Sequence, residues 1–407
     1  MNFNSIINVV DMVMGGGKSS AAINYINNSP EDEHILYITP YRKEITDRIL
    51  IECKKKNIVE PQKFGTKLRG IKDLINKGRN IASTHALFHL FDQECIDMCR
   101  AQNYTLIMDE VTNVIEEYHI TKQDFNVLME NYVYIDKNTN LIKWREDQMD
   151  YCGKFNQEKH LCEFNCLAYY GGSIMMWLFP TEIFNAFRKI YILTYKFDSQ
   201  IQKYYYDYYC VPYKKIWISG DSKENYAFSD EPIEYKNKYD YKSLIHILNN
   251  TKMNEIGDSE YDLSLSWYQR NANNVVMSRL RKNLTNYFRN IRHTKTSLNL
   301  WTTFKDFKPL LSDKGYGRGF LVHNARAIND YGDRISIAYP INRYINAMVK
   351  MFFVNNNIKV DEDGYALSEM LQFIWRSAIR NGKEIWVYIP SIRMRTLLEE
   401  WIEENSI

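Results

Sequence analysis

Short apolar runs alternate with amphipathic segments along most of the chain. Runs rich in Ile, Val, Leu and Tyr, each of strand length, lie at residues 6–14, 34–39, 80–84, 104–109 and 189–194. Several are followed by apolar residues at helical spacing, first at 19–28. Strands that alternate with helices are typical of parallel sheets covered by helices. The pattern therefore predicts an α/β fold with mostly parallel sheets.

The same pattern continues after residue 130 with two departures. Residues 132–144 form two short apolar runs around an Asp-Lys-Asn-Thr-Asn turn, which predicts a hairpin insertion. Residues 267–296 have helical spacing and are strongly basic. A strand and helix restart at 296–311, and residues 364–404 are typical of a helix that Gly382 ends, a buried strand and an amphipathic helix.

The stretch VMGGGKSS at residues 13–20 follows the first strand and opens the first helix. Glycines at such a turn let backbone N–H groups point at phosphate, a lysine binds the terminal phosphates, and a hydroxyl binds the metal. A glycine-rich turn without a ligand is the alternative, because G-K-S is a short motif. We expect a nucleotide to be bound by Gly15, Gly16, Gly17, Lys18, Ser19 and Ser20.

Two adjacent acids, Asp109 and Glu110, end the apolar run YTLIM. Such a pair can divide its work: Asp109 would hold Mg²⁺ together with Ser19, and Glu110 would orient and deprotonate an attacking water. An Asp-Glu pair alone is usually a solvated turn. Its position after a buried strand, downstream of Lys18, favours the catalytic interpretation.

The order MVMGGGKS, YITPYR, STHALF and LIMDE resembles motifs I, Ia, the following strand motif and II of superfamily 2 helicases and translocases. Their first motif is A-x-x-G-x-G-K-[ST], and here Met12 replaces the alanine. Thr194 matches one residue of motif III, which couples nucleotide state to lobe movement. The resemblance implies nucleic-acid contacts at Thr39, Pro40, Arg42, Thr84 and His85.

Two later stretches resemble motifs V and VI of that family. HNARAINDY would contact nucleic acid through Asn324 and Arg326, with His323 a further candidate, although an Asn-rich structural turn competes equally. Gln372, Arg376 and Arg380 recur every four residues and resemble Q-x-x-G-R-x-x-R, whose arginines reach the γ-phosphate. Arg380 falls one residue late and Trp375 replaces the glycine, so either arginine could act. A solvated basic helix face is the alternative.

The resemblance implies two RecA-like lobes with ATP and Mg²⁺ between them. We expect lobe 1 at residues 1–205 with an insertion near 118–185, a connecting basic segment at 206–295, and lobe 2 at 296–407. The implied function is that of a nucleic-acid-dependent ATPase, a DNA helicase or translocase in phage or mobile-element replication or repair. The implied partners are nucleic acid and other replication or repair proteins. Alternatives are an RNA helicase, a packaging or remodelling ATPase, and a binding module that has lost hydrolysis.

The chain as a whole carries little net charge, but one segment is strongly basic. The formal net charge is +2, so no global charge favours nucleic acid. Residues 267–296 carry seven Lys or Arg and no acid, interleaved with Trp267, Tyr268, Tyr287 and Phe288. These residues could bind phosphates and stack on bases, or form a solvated helix face.

The cysteines and the hydropathy bear on metal and location. Cys152, His160, Cys162 and Cys166 lie close together, but their irregular spacing makes zinc less favoured than reduced thiols. The sequence has no basic apolar leader and no run of apolar residues long enough for a membrane span. We therefore expect a cytoplasmic protein, in the host cytoplasm if phage-encoded, with no membrane partner.

Overall fold

The structure is a computed structural model that describes residues 3, 5–63, 65–172, 174–234, 239–324 and 330–406. Within these ranges no helix combines the length and the apolar character needed to cross a bilayer. The strands are β1 (Ile7–Asp11), β2 (His34–Thr39), β3 (Ile81–Thr84), β4 (Tyr104–Asp109), β5 (Ile115–Tyr118), β6 (Val133–Ile135), β7 (Ile142–Trp144), β8 (Leu167–Tyr170), β9 (Ile174–Leu178), β10 (Lys189–Thr194), β11 (Tyr213–Ser219), β12 (Ala227–Ser229), β13 (Ile245–Ile247), β14 (Asn299–Trp301), β15 (Ser336–Ala338) and β16 (Ile385–Tyr388).

Helices alternate with these strands. They are α1 (Lys18–Asn28), α2 (Arg42–Glu44), α3 (Leu50–Glu52), α4 (Lys67–Asn76), α5 (His85–Phe88), α6 (Gln93–Ala101), α7 (Lys122–Asn131), α8 (Asn156–Glu163), α9 (Ile201–Tyr209), α10 (Tyr241–Leu244), α11 (Thr251–Asn254), α12 (Leu265–Asn271), α13 (Val275–Asn286), α14 (Lys308–Leu311), α15 (Ala347–Asn355), α16 (Glu362–Ile374) and α17 (Ile392–Asn405). A π-helical turn, Ile45–Ile49, joins α2 to α3, and a second, Tyr287–Ile291, extends α13.

The first half of the chain is built on a seven-stranded sheet in the order β12-β11-β1-β10-β4-β2-β3. Every pairing in it is parallel except β11 with β12. Its central strands are buried because helices cover both faces, as their continuous apolar runs require. The sequence places the end of lobe 1 at residue 205, but β11 and β12 follow this residue and belong to the same sheet. The tyrosine-rich α9 returns the chain to β1, with which β11 pairs.

The second half has a four-stranded parallel sheet in the order β13-β16-β15-β14. β13 precedes residue 296, where the sequence places the start of lobe 2, and it pairs with β16 at the edge of the sheet. Parallel strands with crossover helices in both halves confirm the predicted α/β class with mostly parallel sheets.

A smaller β unit interrupts the first half. β5, β9 and β8 form a three-stranded antiparallel sheet, and β6 and β7 form the hairpin predicted at residues 132–144. The sheet contacts the second half at α15, where the Tyr170 ring lies 5.7 Å from Phe352 and the Tyr170 hydroxyl bonds to Asn355. The unit therefore touches both halves.

Apolar and polar contacts join the two halves. Val349, Phe352 and Phe353 of α15 belong to the apolar core of the first half. Two buried or half-buried hydrogen bonds follow β10: Ser199 Oγ to Asp361 Oδ2 at 2.6 Å and Gln200 Nε2 to Ser368 Oγ at 2.8 Å. The segment after β10 is thus bonded directly to the start and middle of α16.

The basic segment is helical, as predicted, but its aromatic residues are not available for stacking. Trp267, Tyr268, Tyr287 and Phe288 are all buried in the core of the second half. The helical spacing that makes the face basic also places these rings on the opposite, core-facing side. The expectation that they stack on bases is therefore wrong, and only the cations remain exposed.

Candidate nucleotide site

The glycine loop between β1 and α1 has the backbone that a phosphate cradle needs. Gly15 has φ 82° and Gly17, the residue that caps α1, has φ 90°, a left-handed conformation that strains other residues. A Cβ at Gly15 would meet nothing within 4 Å, so the loop is open there. A Cβ at Gly16 would lie 2.5 Å from Met12 Sδ. Met12 therefore fills the space beneath the loop.

Lys18 is buried at the first turn of α1. Its ammonium donates to the Met12 carbonyl and, at 3.2 Å, to the Val13 carbonyl. Burial lowers the pKa of Lys18, whereas the nearby carboxylates of Glu110 and Asp109 raise it. The lysine is therefore held over the glycine loop and faces the two acids that the sequence singles out.

The two acids lie at the C-terminal end of β4. Asp109 is buried and its Oδ2 accepts a hydrogen bond of 3.0 Å from the Tyr37 hydroxyl. Burial, together with the neighbouring charges of Glu110 and Glu44, raises the pKa of Asp109 to about 7. A buried carboxylate fits Mg²⁺, since this cation prefers oxygen ligands and favours the ionised carboxylate. Ser19, the second predicted ligand, lies in the first turn of α1 beside Lys18.

Glu110 has a strained backbone and an unbonded oxygen. Its φ is 67°, in the left-handed region that acidic residues adopt rarely, and its N–H donates to the Leu193 carbonyl at 2.8 Å. Its Oε2 is buried without a hydrogen-bond partner among the described residues. A carboxylate oxygen in that state fits a group that positions a water molecule.

Arg48, which belongs to none of the motifs, also lies at the site. Arg48 Nη2 donates to Ser20 Oγ at 3.1 Å, and the guanidinium pairs with Glu44 at 3.4 Å and Glu52 at 3.5 Å. Its position in the π-helical turn 45–49 brings it over α1. The weak signal was an Arg four residues after one Glu and four before another.

Arg376 and Arg380 reach the site by a different route from the predicted one. α16 ends at Ile374, because Ser377 is extended and its hydroxyl bonds to the Ile374 carbonyl at 2.6 Å. The arginines therefore do not share a helix face with Gln372. This corrects the prediction of one helical face, although Gly382 ends the segment with φ 68° as predicted.

Both arginines nevertheless face the first half. Arg376 interacts electrostatically with Lys18. Arg380 interacts with Glu44, Arg48 and Asp109. Two cations from the second half therefore meet the glycine loop and acids of the first. Val13 also belongs to the apolar core of the second half, so the loop lies against that half.

Gln372 and Thr194 are two further residues of the predicted site, and each has a side-chain atom without a hydrogen-bond partner among the described residues. Gln372 is buried in α16 and its Nε2 has no hydrogen-bond partner among the described residues. Thr194 ends β10 beside Asp11, its carbonyl accepts from Met12 N–H at 3.0 Å, and its buried Oγ1 is unbonded within the described chain. Its position links the strand after the insertion to the glycine loop.

The residues predicted to contact nucleic acid are divided among several places. Thr39 is buried at the end of β2 with Pro40 half-buried after it, and Arg42 is exposed but pairs with Glu60 at 2.6 Å. Thr84 caps α5 through a bond from Leu87 N–H at 3.4 Å. Arg326 lies outside the described residues.

A cavity of about 1070 Å³ between the halves brings together two of these candidates, His85 and Asn324. Its wall also carries Arg343 and Lys350, and the carboxylates Glu116, Glu117, Glu260, Glu362 and Glu369. His323 lies near Arg343, and burial lowers its pKa to about 4. The cavity is therefore polar and carries both signs of charge.

The cysteines of the middle segment are free thiols that differ in burial. Burial raises the pKa of Cys162 and of Cys166 to about 12, whereas Cys152 is exposed. Across the part of the chain that the structure describes, no three His, Cys, Asp or Glu side chains are grouped as a metal site would need.

Comparison with known proteins shows the family to which the chain belongs. The chain is 38% identical over 411 residues to the SPbeta prophage-derived protein YonV of Bacillus subtilis (strain 168), an alignment that covers 98% of this chain and 99% of that protein. The chain belongs to the YonV family. The model of the YonV C-terminal Rossmann-like domain matches residues 239–402, and that of the YonV middle domain matches residues 115–177.

Two solved structures align with most of this chain at low sequence identity. The structure of S. tokodaii Xpd4 is 11% identical, with a TM-score of 0.47 over 98% of this chain and 94% of that chain. The DUF1998 helicase MrfA, bound to DNA and AMPPNP, is 10% identical, with a TM-score of 0.36 over 99% of this chain and 49% of that chain.

Proposed function

We propose that this YonV-family protein is an ATP hydrolase that acts on nucleic acid, as a DNA helicase or translocase. The observation that carries the proposal is that Arg376, from the second half, lies near enough to Lys18 for its positive charge to lower the pKa of that lysine. A lysine in a glycine loop and an arginine from a second unit are the two cations that phosphoryl transfer uses to neutralise developing charge. The carboxylates of Asp109 and Glu110 complete the set.

Each residue has a role that follows from its surroundings. The N–H groups of the glycine loop and the Lys18 ammonium bind the phosphates. Glu110 orients and deprotonates the attacking water through its unbonded oxygen. Arg376 or Arg380 meets the charge that develops on the γ-phosphate. Gln372, together with Ser20, completes the nucleotide contacts.

Ser19 and Asp109 would hold Mg²⁺. When bound, this ion neutralises phosphate charge. Burial holds the pKa of Asp109 near 7, so binding of a cation would favour the ionised form.

The nucleic-acid contacts are proposed at Thr39, Pro40, Arg42, Thr84, His85, Asn324 and Arg326, with Thr194 coupling them to the nucleotide. The polar cavity that contains His85 and Asn324 supports this assignment. We propose two lobes, the first extending through β12 and the second starting at β13. Because the relative is prophage-derived, we place the activity in phage replication or repair in the host cytoplasm.

The test is ATP turnover by the full chain with single-stranded DNA, RNA, duplex or no nucleic acid, for wild type and Lys18→Ala. Lys56→Ala, which removes a lysine bonded to the Pro30 carbonyl within the same half, is the matched control. We expect turnover that nucleic acid stimulates, DNA most, and that only Lys18→Ala abolishes. Absence of turnover in wild type under every condition contradicts the proposal.

A further inference from the structure

The exposed cations of α13 continue onto a loop from a different part of the second half. Arg281 and Arg289 come from α13 and its π-helical extension, and Lys314 and Arg318 come from the loop at residues 312–318. A Cβ at Gly315 would lie 2.9 Å from Arg289 Nε, so helix and loop are in contact. We call these four residues the α13–loop surface.

The loop is fixed against the core. The Asn299 side chain donates to the Gly315 carbonyl at 2.9 Å, and Gly317 N–H donates to the Asp313 carbonyl at 3.0 Å. The buried Tyr316 ring stacks on Phe288 at 5.1 Å. Because the loop is held at three points, Lys314 and Arg318 project from a defined backbone.

The charge of the α13–loop surface is not neutralised within the described chain. None of its four cations forms an ion pair there, whereas Arg279, two residues before Arg281 on α13, pairs with Glu255 at 2.6 Å. Asp313 is the acid nearest the surface. The Lys314 N–H, the Thr285 hydroxyl, Arg281 and Arg289 all lower its pKa.

The chemistry of this surface selects its ligand. Exposed cations on a helix and an adjoining loop fit a regular array of phosphates, and such contacts do not depend on base sequence. Single strands are usually bound by exposed aromatic rings, yet the rings of this region, Tyr287, Phe288 and Tyr316, are buried. We propose that the α13–loop surface binds the phosphodiester backbone of duplex nucleic acid.

The α13–loop surface lies away from the cavity between the two halves. The loop is bonded to Asn299, the first residue of β14, whereas the chain beyond the other end of β14 leads to Phe304, which lines the cavity. The inference rests on the proposed nucleic-acid role but not on ATP hydrolysis. The α13–loop surface would give the protein a second contact with nucleic acid, one that does not depend on base sequence.

The test is the affinity of the full chain for a labelled duplex as salt is varied, without nucleotide, by fluorescence anisotropy. The variants are Arg289→Ala and the triple variant Arg289→Ala, Lys314→Ala and Arg318→Ala, with Arg279→Ala as the control. We expect the affinity to fall about threefold per cation and the salt slope by about one per cation, equally for unrelated sequences. Affinity for a single strand should fall less.

The outcomes separate this inference from the proposed function. A triple variant that binds duplex as Arg279→Ala does overturns the inference, and an equal loss for single strand and duplex overturns the duplex assignment. Melting curves of every variant that match wild type exclude unfolding as the cause. If wild type hydrolyses no ATP while the triple variant loses duplex affinity, the proposed function fails and the α13–loop surface stands.

Discussion

The Trp401 indole Nε1 donates a hydrogen bond of 2.8 Å to the Tyr195 hydroxyl, which joins α17 to the residue directly after Thr194. We predict that Tyr195→Phe keeps basal ATP turnover but lowers its stimulation by nucleic acid about fivefold, since one such bond contributes about 1 kcal/mol. Turnover with and without single-stranded DNA measures this. Tyr388→Phe, which removes a bond of 2.8 Å to the Met253 carbonyl within the second half, should leave stimulation unchanged.

Met12 and Gly16 should be coupled through the space beneath the loop. Gly16→Ala would place its Cβ 2.5 Å from Met12 Sδ, and overpacking of this kind costs about 1–3 kcal/mol. We predict that Gly16→Ala weakens nucleotide binding and that Met12→Ala in the same chain restores it. Titration with a fluorescent nucleotide across all four members of the cycle measures the coupling, and additive effects would contradict it.

Glu110 should separate binding from hydrolysis. Because its role is to position and deprotonate water, Glu110→Gln should bind ATP with near wild-type affinity yet lower turnover by about 10²–10⁴-fold. Glu130→Gln, which changes an exposed acid on α7, is the control and should be neutral. A Glu110→Gln enzyme that turns over ATP at the wild-type rate would show that another group activates the water.

Acid should destabilise the protein partly through His89. Its Nε2 is 2.6 Å from Thr112 Oγ1, and burial lowers its pKa from 6.5 to about 4. The unfolded chain therefore binds a proton between these pH values that the native protein does not, so stability is full above pH 6.5 and is lost as pH falls towards 4. The contribution is about 3 kcal/mol.

Thermal unfolding between neutral and acid pH measures this loss. His89→Gln should be less stable than wild type at neutral pH and should have a shallower fall in melting temperature towards acid. His119→Gln, which alters an imidazole with an 85% exposed side chain, should follow the wild-type curve. Parallel curves for His89→Gln and wild type would exclude His89 as a source of the acid sensitivity.

The sequence predicted the elements whose chemistry is local. The glycine loop, the strand that ends in Asp109 and Glu110, and the hairpin at 132–144 each depend on neighbouring residues, and the structure has all three. It did not predict the extent of either sheet. β12 and β13 have three residues each, and β11 begins Tyr-Lys-Lys, so no uninterrupted apolar run distinguishes them from loops.

The sequence also did not predict the parts of the site that depend on tertiary contacts. A spacing of four residues suggested one helix from Gln372 to Arg380, but the bond from the Ser377 hydroxyl ends α16 before the arginines. Arg48 reaches Ser20 only because a π-helical turn rotates it over α1. The rings of the basic segment are buried because its helices pack their apolar side on the core of the second half.

The central claim is that Lys18 and an arginine from the second half act on one ATP. Its most direct test is ATP turnover, with saturating single-stranded DNA, of wild type, Arg376→Ala, Arg380→Ala and the double variant, with Arg279→Ala as the control. We predict that the double variant loses about 10³-fold or more in turnover while it still binds nucleotide, and that the control is neutral. Wild-type turnover by the double variant would contradict a cleft shared by the two halves.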